Sequence, residues 1–384
     1  MDFTPTEEQA AAADLAARIL ADHSTPERLT AAGTGSDAGL WKELCAAGLV
    51  GAVADTGLLG LVLMLEEQGR VTAQVPFAAS CVYGLLAVAA HGSSEQRERL
   101  LPGIIDGTVV VTGAISRPEA LPPAETASGP ETASGPETAS ASETASAPAN
   151  LSAPVSPSPS PSPSLFGTLT GVLPVVPWLR DATHVLVADG RRRLWLVRTA
   201  EAAASEPVEL TAPWSAGRLT LDGTPAEALG AAGAYDDLLA TARTAFAGLQ
   251  AGVCAGSLAR AVEHTNTREQ FGQPLAARQG VQLRAADAYM DTEAIRVTAY
   301  EAAWRRDEGL PYATHALTAA WWASEAGRRV VHTGQHLHGG AGADLGHPVH
   351  RHFLWGRQLD AYLGCGGELL QELGELIANG KVET

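Results

Sequence analysis

Three strings within the stretch from Arg268 to Gly346 decide the fold of this chain: R-E-Q-F-G-Q-P (Arg268 to Pro274), R-Q-G-V-Q-L-R-A-A-D (Arg278 to Asp287) and Q-H-L-H-G-G-A-G (Gln335 to Gly342). The first two lie at the joint between two long segments with helical apolar periodicity, and the third ends another such segment. A glycine-rich loop near helix ends, with arginine and glutamine in reach, is suited to hold a phosphate-bearing cofactor.

Composition places the chain among soluble globular proteins of two or three domains. It has 384 residues, 46% hydrophobic and 18% charged, with a formal net charge of −17. This acidity argues against nucleic acid as the partner and is explained by solubility. We find neither a basic segment followed by an apolar run at the N-terminus nor a run of about 18 uncharged apolar residues, so we predict a cytoplasmic protein without a membrane span.

The four cysteines show no metal or redox spacing, since no C-x-x-C occurs. Each lies among apolar or small residues, which predicts buried free thiols in a reducing cytosol. They are Cys45, Cys81, Cys254 and Cys365.

Residues 1–107 are predicted to form an all-helical domain. Thr4 is the expected cap of the first helix, with Glu7 at the capping-box position. Gly69 is expected to stop a helix, and Pro102 to close another. The predicted helices run from Thr4 to about residue 21 and over residues 39–47, 57–69, 78–90 and 94–102.

Residues 108–232 are predicted to form a small antiparallel β-domain, a barrel or a sandwich. An insertion at about residues 119–164 interrupts it, with E-T-A-S-G-P repeats and a Ser-Pro alternation. This composition predicts a flexible surface segment, with a proline-binding partner as the alternative. Turns are expected at Asp189-Gly190 and Asp222-Gly223. The predicted strands span residues 109–112, 165–176, 183–188, 194–198, 208–210 and 218–221.

Residues 233–384 are predicted to form a four-helix bundle, because four long helical patterns follow one another with short joints. They span residues 236–264, 279–306, 312–338 and 358–377. The fold class is therefore α+β multidomain: a helical domain, a central β-domain and a helical bundle.

With its motifs in this order, the chain resembles an acyl-CoA dehydrogenase. Glu66 to Arg70 resembles the family's E-E-x-G-R, and Gly92 to Gly103 its G-(S/T)-x-x-Q-K…L-P stretch. Arg268 to Leu275 resembles R-x-(Q/A)-F-G-x-x-(L/I), Gln279 to Asp287 the F-Q-x-V-Q-x-x-L-A-D segment, and His338 to Gly342 the H-G-G-x-G loop. The match covers nearly the whole chain outside the insertion.

The two ends resemble one subunit type of the actinobacterial heteromeric (α2β2) acyl-CoA dehydrogenases that act on steroid side-chain CoA thioesters. The opening M-D-F-x-P-T-x-E-Q and the string H-L-H-G-G-x-G-x-D followed by Pro348-Val349-His350-Arg351 carry this likeness. It implies FAD as cofactor, an acyl-CoA as substrate, a second acyl-CoA dehydrogenase subunit as partner and electron-transfer flavoprotein as acceptor.

The resemblance also implies a catalytic carboxylate that this chain lacks. In the family a glutamate removes the α-proton of the acyl-CoA while the β-hydrogen leaves as hydride to flavin. The two family positions for this base fall on Leu363 and Ala242, so we predict no catalytic base in this chain. Glu368, Asp360 and Asp344 are the alternative relocated bases.

Further departures lie in the β-domain. Ala114 to Pro118 stands where the family has T-E-P-x-x-G-S-D, and the flavin-contacting W-I-(T/S)-N string is absent. Trp178 lies nearby in sequence, and the alternatives for it are a flavin contact and a core or surface aromatic residue.

The family's cross-interface contacts to the flavin diphosphate and adenine remain. The resemblance assigns them to Arg268, Phe271, Gln279, His336, Gly339 and Gly340. Structural alternatives are a helix C-terminal charge for Arg268 and a helix stop for the two glycines. The histidines between His332 and His352 look like a metal cluster, but the family carries His in H-G-G-x-G without metal, so no metal is predicted. We infer a base-lacking subunit of a heteromeric enzyme, with a homotetrameric enzyme or a flavin-free scaffold as alternatives.

Overall fold

The computed structural model describes residues 3–126 and 166–379. The predicted flexible insertion lies outside the described residues from residue 127 onward. Its first residues are ordered, because Glu125 and Thr126 pair with a strand that begins at Phe166. Including residues 119–124 and this pair in the insertion was therefore wrong.

Six helices open the chain, as predicted for an all-helical start. They are α1 (Glu7–His23), α2 (Pro26–Ala32), α3 (Ala38–Ala46), α4 (Leu49–Val71), α5 (Phe77–His91, π-helical over Ser80–Leu86) and α6 (Ser94–Asp106).

Two predicted helix ends in this region were wrong. The cap of α1 is Thr6 rather than Thr4, because the Thr6 hydroxyl accepts from the Gln9 N–H while the Gln9 side chain accepts from the Thr6 N–H. Pro102 lies inside α6, which continues to Asp106. Ile104 is fully buried in that last turn, and its packing holds the helix together past the proline.

The glycine of the E-E-x-G-R motif has a different role from the predicted helix stop. Helix α4 continues past Gly69 to Val71, and Gly69 lies against α7 (Ala234–Thr267). A Cβ on Gly69 would lie 2.7 Å from the backbone N of Val253, and one on Gly252 would lie 2.7 Å from the Cα of Glu66. The two helices thus cross backbone to backbone, which only glycine permits.

The central region is one seven-stranded sheet. Its strands are β1 (Val111–Ala114), β2 (Glu125–Thr126), β3 (Phe166–Val176), β4 (His184–Ala188), β5 (Leu194–Arg198), β6 (Ala204–Pro207) and β7 (Gly217–Leu229). The order is β1-β4-β5-β7-β3-β2, with β6 also paired to β7. Every pair is antiparallel except β1 with β4, whose parallel pairing uses the long connection through β2 and β3.

Two strand predictions were wrong in detail. Residues 208–210 are not a strand; the exposed segment Ala204–Pro207 is paired instead. Asp222-Gly223 is not a chain reversal, because β7 runs through it to Leu229. A register shift against Leu169 and Gly171 makes it a β-bulge, with Gly223 at φ +57°. A bulge and a turn share the same Asp-Gly signal, so the sequence did not separate them.

The C-terminal helices are α7 (Ala234–Thr267), α8 (Gln279–Asp307), α9 (Ala313–Leu337), α10 (Pro348–Leu359) and α11 (Gly366–Ala378). A short hairpin, β8 (Glu269–Gln270) with β9 (Gln273–Pro274), joins α7 to α8. The single helix predicted over residues 358–377 was wrong. Gly364 has φ +114°, which a helix does not accommodate, and a capping box of Cys365 and Glu368 begins α11 afterwards.

Two helices are long and apolar enough to cross a membrane by length and composition: α4 and α7. Their most apolar windows are 67% and 72% buried inside the protein, so both are core helices of a soluble-type fold. One apolar core joins the N-terminal helices to the bundle, and a second fills the sheet.

The cysteine prediction holds in part. All four thiols are free, and Cys81 and Cys254 are buried, but Cys365 is exposed and Cys45 is half-buried. Burial raises the pKa of Cys45 to about 11, so this thiol is not reactive at neutral pH.

Candidate functional site

A cavity of about 360 Å³ lies where the sheet meets the bundle. Its walls come from the loop after β1, from β3 and from the joint between α10 and α11. None of the described residues that line it is Asp or Glu. The lining residues are Tyr83, Gly113, Ala114, Ile115, Ser116, Arg117, Ala120, Leu173, Pro174, Val175, Pro177, Gln358, Ala361, Tyr362 and Leu363.

Two tyrosines among the described lining residues bring their hydroxyls together, Tyr83 fully buried and Tyr362 half-buried. The Tyr83 and Tyr362 oxygens lie 3.0 Å apart. Burial raises the pKa of both phenols well above the ordinary value. Both stay neutral at physiological pH, so neither replaces a carboxylate base.

The arginine that follows one expected base position contacts the other. Leu363 lines the cavity, and Ala242 is fully buried on α7. Arg243, the residue after Ala242, donates from Nε to the Leu363 carbonyl oxygen at 3.3 Å and forms a bidentate pair with Glu372 at 2.9 and 2.7 Å. The chain therefore keeps the arginine of this corner and has a non-ionisable side chain at both base positions.

The three alternative carboxylates are engaged elsewhere. Glu368 accepts from the Cys365 N–H at 3.1 Å, and this backbone hydrogen bond holds its pKa below the ordinary value. Asp360 pairs with Arg357 at 2.8 Å and accepts from Ser324 at 2.7 Å. Asp344 accepts from the Gly346 N–H at 2.9 Å. None of the three lines the cavity, so the geometry favours none of them as a base.

Aromatic rings fill the interior beside the cavity. Trp178 is buried and stacks on Trp214 with ring centroids 4.3 Å apart, and Phe246 meets Tyr362 edge-on at 4.7 Å. Of the alternatives left open by the sequence, Trp178 is therefore a core aromatic residue. On the cavity rim, Ser116 and Arg117 are exposed, and Tyr235 donates to the Ile115 carbonyl at 3.1 Å.

The first group of predicted cofactor contacts lies at the surface, around the hairpin between α7 and α8. Phe271 and Gly272 form its two-residue tip, at φ +55° and +76°, values typical of a type I′ turn. The Phe271 ring is 91% exposed and has the Arg278 guanidinium 5.2 Å from its centroid. Arg268 and Gln279 are exposed too, and within the described chain Arg268 forms no ion pair.

The second group lies at the end of α9. His336 is exposed, and Gly339 and Gly340 begin a 3-10 turn, Gly339–Ala343. A Cβ on either glycine would meet nothing within 4 Å, so their backbone is open to close approach by a ligand. The two groups are neighbours, because the His264 ring near the end of α7 stacks on His338 at 4.6 Å. Among the described residues, an arginine without an ion pair, an exposed ring and an open glycine backbone thus lie near one another, and this donor set fits a dinucleotide diphosphate.

Helix α8 carries a row of exposed apolar side chains that was not predicted from the sequence. Leu283, Met290 and Val297 recur every seven residues and are 57%, 60% and 47% exposed, with Tyr289 beside them at 59%. The seven-residue spacing was readable from the sequence. It was absorbed into the predicted bundle core, because a pattern does not tell an inward face from an outward one.

Comparison with known proteins identifies the class. Residues 6–108 match the family "Acyl-CoA dehydrogenase, N-terminal domain", and residues 233–374 match "Acyl-CoA dehydrogenase, C-terminal domain". The chain belongs to the acyl-CoA dehydrogenase family. The predicted fold, oxidoreductase class and FAD dependence are those of this family, whereas the exact domain boundaries stay a prediction.

Three relatives span the whole length. Acyl-CoA dehydrogenase FadE27 of Mycobacterium tuberculosis is 31% identical over 406 residues, covering 98% of this chain and 99% of the relative. A chain of a variant of the Tcur3481-Tcur3483 steroid ACAD superposes with a TM-score of 0.83 at 38% identity, covering 98% and 99%. A chain of the ChsE4-ChsE5 complex from Mycobacterium tuberculosis superposes with a TM-score of 0.81 at 29% identity, again covering 98% and 99%.

Proposed function

We propose that this chain is the base-lacking subunit of a heteromeric, FAD-dependent acyl-CoA dehydrogenase of α2β2 architecture. It would complete the flavin site of a partner subunit that carries the base. One observation carries the proposal: none of the described residues that line the cavity beside Leu363 is Asp or Glu, while Arg268, Phe271 and Gly339 are exposed at the surface.

The substrate we propose is a bulky acyl-CoA, such as a steroid side-chain thioester, converted to its trans-2-enoyl form. Two full-length structural relatives support this, one described as a steroid ACAD and the other as a complex of two different chains. Electron-transfer flavoprotein is the proposed acceptor. We propose a cytoplasmic location, which the free thiols support.

Within this assembly the chain's own residues bind and orient. Arg268 would pair with the diphosphate, and the open backbone at Gly339 and Gly340 would donate N–H groups to it. Phe271 would pack against the dinucleotide, and Gln279 and His336 would bound its adenine end. Bound flavin supplies the hydride-accepting chemistry, and proton removal falls to the partner's carboxylate.

The apolar row on α8 supports the assembly. Three aliphatic side chains at heptad spacing are typical of a helix that packs against another helix. Exposed side by side, they form a patch that a monomer rarely leaves in water. We assign this face to the subunit interface.

The test is co-expression with a second acyl-CoA dehydrogenase chain encoded nearby, followed by flavin quantification in the purified complex. Arg268→Met should lower bound FAD at least tenfold, because it removes a charge-assisted contact. Arg218→Met, at an exposed arginine on β7, is the matched control and should leave flavin content unchanged.

The alternatives predict other outcomes. A homotetramer with a relocated base would turn over acyl-CoA alone and lose that activity when Glu368, Asp360 or Asp344 is replaced. A flavin-free scaffold would give a complex without a flavin spectrum. Either result refutes the proposed function.

A further inference from the structure

Three histidines from separate segments form a continuous column of rings at the glycine-rich loop. The His264 ring, on α7, stacks on His338 with centroids 4.6 Å apart and planes inclined by 25°. His338 meets His347 at 4.9 Å and 63°. His338 is buried and the other two are half-buried. Among the described residues no group of three His, Cys, Asp or Glu is arranged to hold a metal, so the column needs another explanation.

Two of the three histidines flank one loop. His338 immediately precedes Gly339, and His347 immediately follows Gly346, so their contact closes the eight-residue segment 339–346 into a loop with adjacent ends. Otherwise this loop has few anchors. Gln335 donates to the Gly342 carbonyl at 3.3 Å, and Leu345 at its tip is 79% exposed.

The hydrogen bonds of two rings fix their protonation. His338 Nδ1 lies 2.7 Å from the Gly334 carbonyl oxygen, so it carries a proton and donates. His347 Nδ1 accepts from the Val349 N–H at 3.2 Å, where it caps α10. A protonated His347 has no lone pair to accept with, so protonation would break this cap and place a charge beside His338.

We propose that His264, His338 and His347 form an imidazole clamp that holds residues 339–346 in the shape required to bind the diphosphate, and that opens on acidification. The three are positioning residues for the glycine backbone. Only the diphosphate role of the clamp rests on the proposed function. The closing of the loop is a property of this chain alone.

The surrounding charges give the direction of the pH response. Burial is the largest cause that lowers the pKa of His264. The nearby charges of the other two histidines and of Arg268 lower it further. Burial also lowers the pKa of His347, and the nearby charges of His338 and Arg260 lower it further. Asp344 raises it and so opposes the shift. Lowered values mean that the clamp favours neutral rings. Its stability is therefore present above the ordinary histidine pKa of about 6.5 and is lost as the pH falls below it.

The experiment is backbone hydrogen–deuterium exchange of the loop, followed by mass spectrometry on the full chain without FAD or partner. Exchange is measured at about pH 8 and about pH 5, because lowered histidine pKa values place the opening below the ordinary value of about 6.5, and it is corrected for the intrinsic rate. We expect protection over residues 339–347 to fall at least tenfold at the lower pH. Peptides of α5 (Phe77–His91) should keep their protection, which reports that the chain stays folded.

Variants separate titration from packing. His264→Phe keeps a stacking ring that cannot titrate, while His347 still can, so its loop should stay protected at the higher pH and should lose less protection than the unsubstituted chain at the lower pH. His264→Asn removes the ring and should lose protection at both. His332→Asn, on α9 but outside the column, is the matched control and should follow the unsubstituted chain. Should His264→Phe unfold, His347→Asn keeps a capping oxygen without a ring and should lose loop protection at neutral pH.

Loop protection that is equal at both pH values, or a His264→Asn chain that matches the unsubstituted one, would overturn the clamp. Flavin content of the partner complex is read separately. An intact pH response in a complex without flavin would refute the proposed function and leave the clamp standing.

Discussion

Replacing Gly69 by alanine should weaken the junction between the N-terminal helices and the bundle. The added Cβ would lie 2.7 Å from the Val253 backbone N and closer still to the Leu249 carbonyl oxygen, whereas ordinary contact begins at 3.4 Å. Both neighbours are backbone atoms of α7 and cannot rotate away, so the helix axes must separate by about 0.7 Å or more.

The magnitude follows from two opposed effects. Overpacking of this kind costs up to about 3 kcal/mol, and alanine recovers about 1 kcal/mol of helix propensity relative to glycine. The expected loss in the free energy of unfolding is therefore about 2 kcal/mol, measured by urea denaturation followed by circular dichroism.

A matched glycine in open space provides the control. Gly374 lies on the exposed side of α11, where a Cβ meets nothing within 4 Å. Gly374→Ala should be neutral or should stabilise by up to about 1 kcal/mol. If Gly69→Ala proves as stable as Gly374→Ala, the backbone-to-backbone crossing of α4 and α7 is refuted.

Three further predictions concern stability and surface strain. Arg296→Met should lower the free energy of unfolding, measured by calorimetry, by about 3 kcal/mol. The reason is that the buried Glu66 carboxylate loses the Arg296 guanidinium that lies 2.9 Å from it. Adding Glu66→Gln should recover most of the loss. Burial lowers the pKa of His352 to about 4, so the free energy of unfolding should fall by roughly 3 kcal/mol between about pH 6.5 and pH 4. His352→Gln should flatten that part of the pH–stability curve. An unchanged curve would show that His352 does not cause the loss. Phe271→Gly should relieve the positive φ and stabilise the isolated chain by up to about 1 kcal/mol while lowering FAD retention in the complex; a loss of stability would refute the strain.

The order of elements could be predicted from the sequence, because it depends on local patterns. The joint around Arg268 and the glycine loop after α9 were found where the motifs predicted them. Apolar periodicity and glycine-rich breaks carry that information within a few residues of the chain.

The errors arise where a distant contact decides the conformation. Gly69 looks like a helix stop until α7 is placed against it, and Asp222-Gly223 looks like a turn until β3 is paired across it. Pro102 looks like a terminus until the burial of Ile104 is known. In each case tertiary packing overrides a correct local preference.

The candidate site divides in the same way. Chemical identity could be predicted: a leucine at position 363 and an alanine at 242 cannot accept a proton wherever they lie. Two contacts could not be predicted: that of Arg243 with Leu363, and those of His264 and His347 with His338. Each was missed because a sequence pattern does not show which elements pack against each other.

We propose that this chain binds a flavin diphosphate but does not perform the chemistry alone. The most direct test measures the flavin-to-protein ratio, and the bleaching of flavin absorbance by acyl-CoA, for the chain alone and with its acyl-CoA dehydrogenase partner. We predict little flavin and no bleaching for the chain alone, and both for the complex. Stoichiometric flavin that acyl-CoA bleaches in the isolated chain would contradict the account.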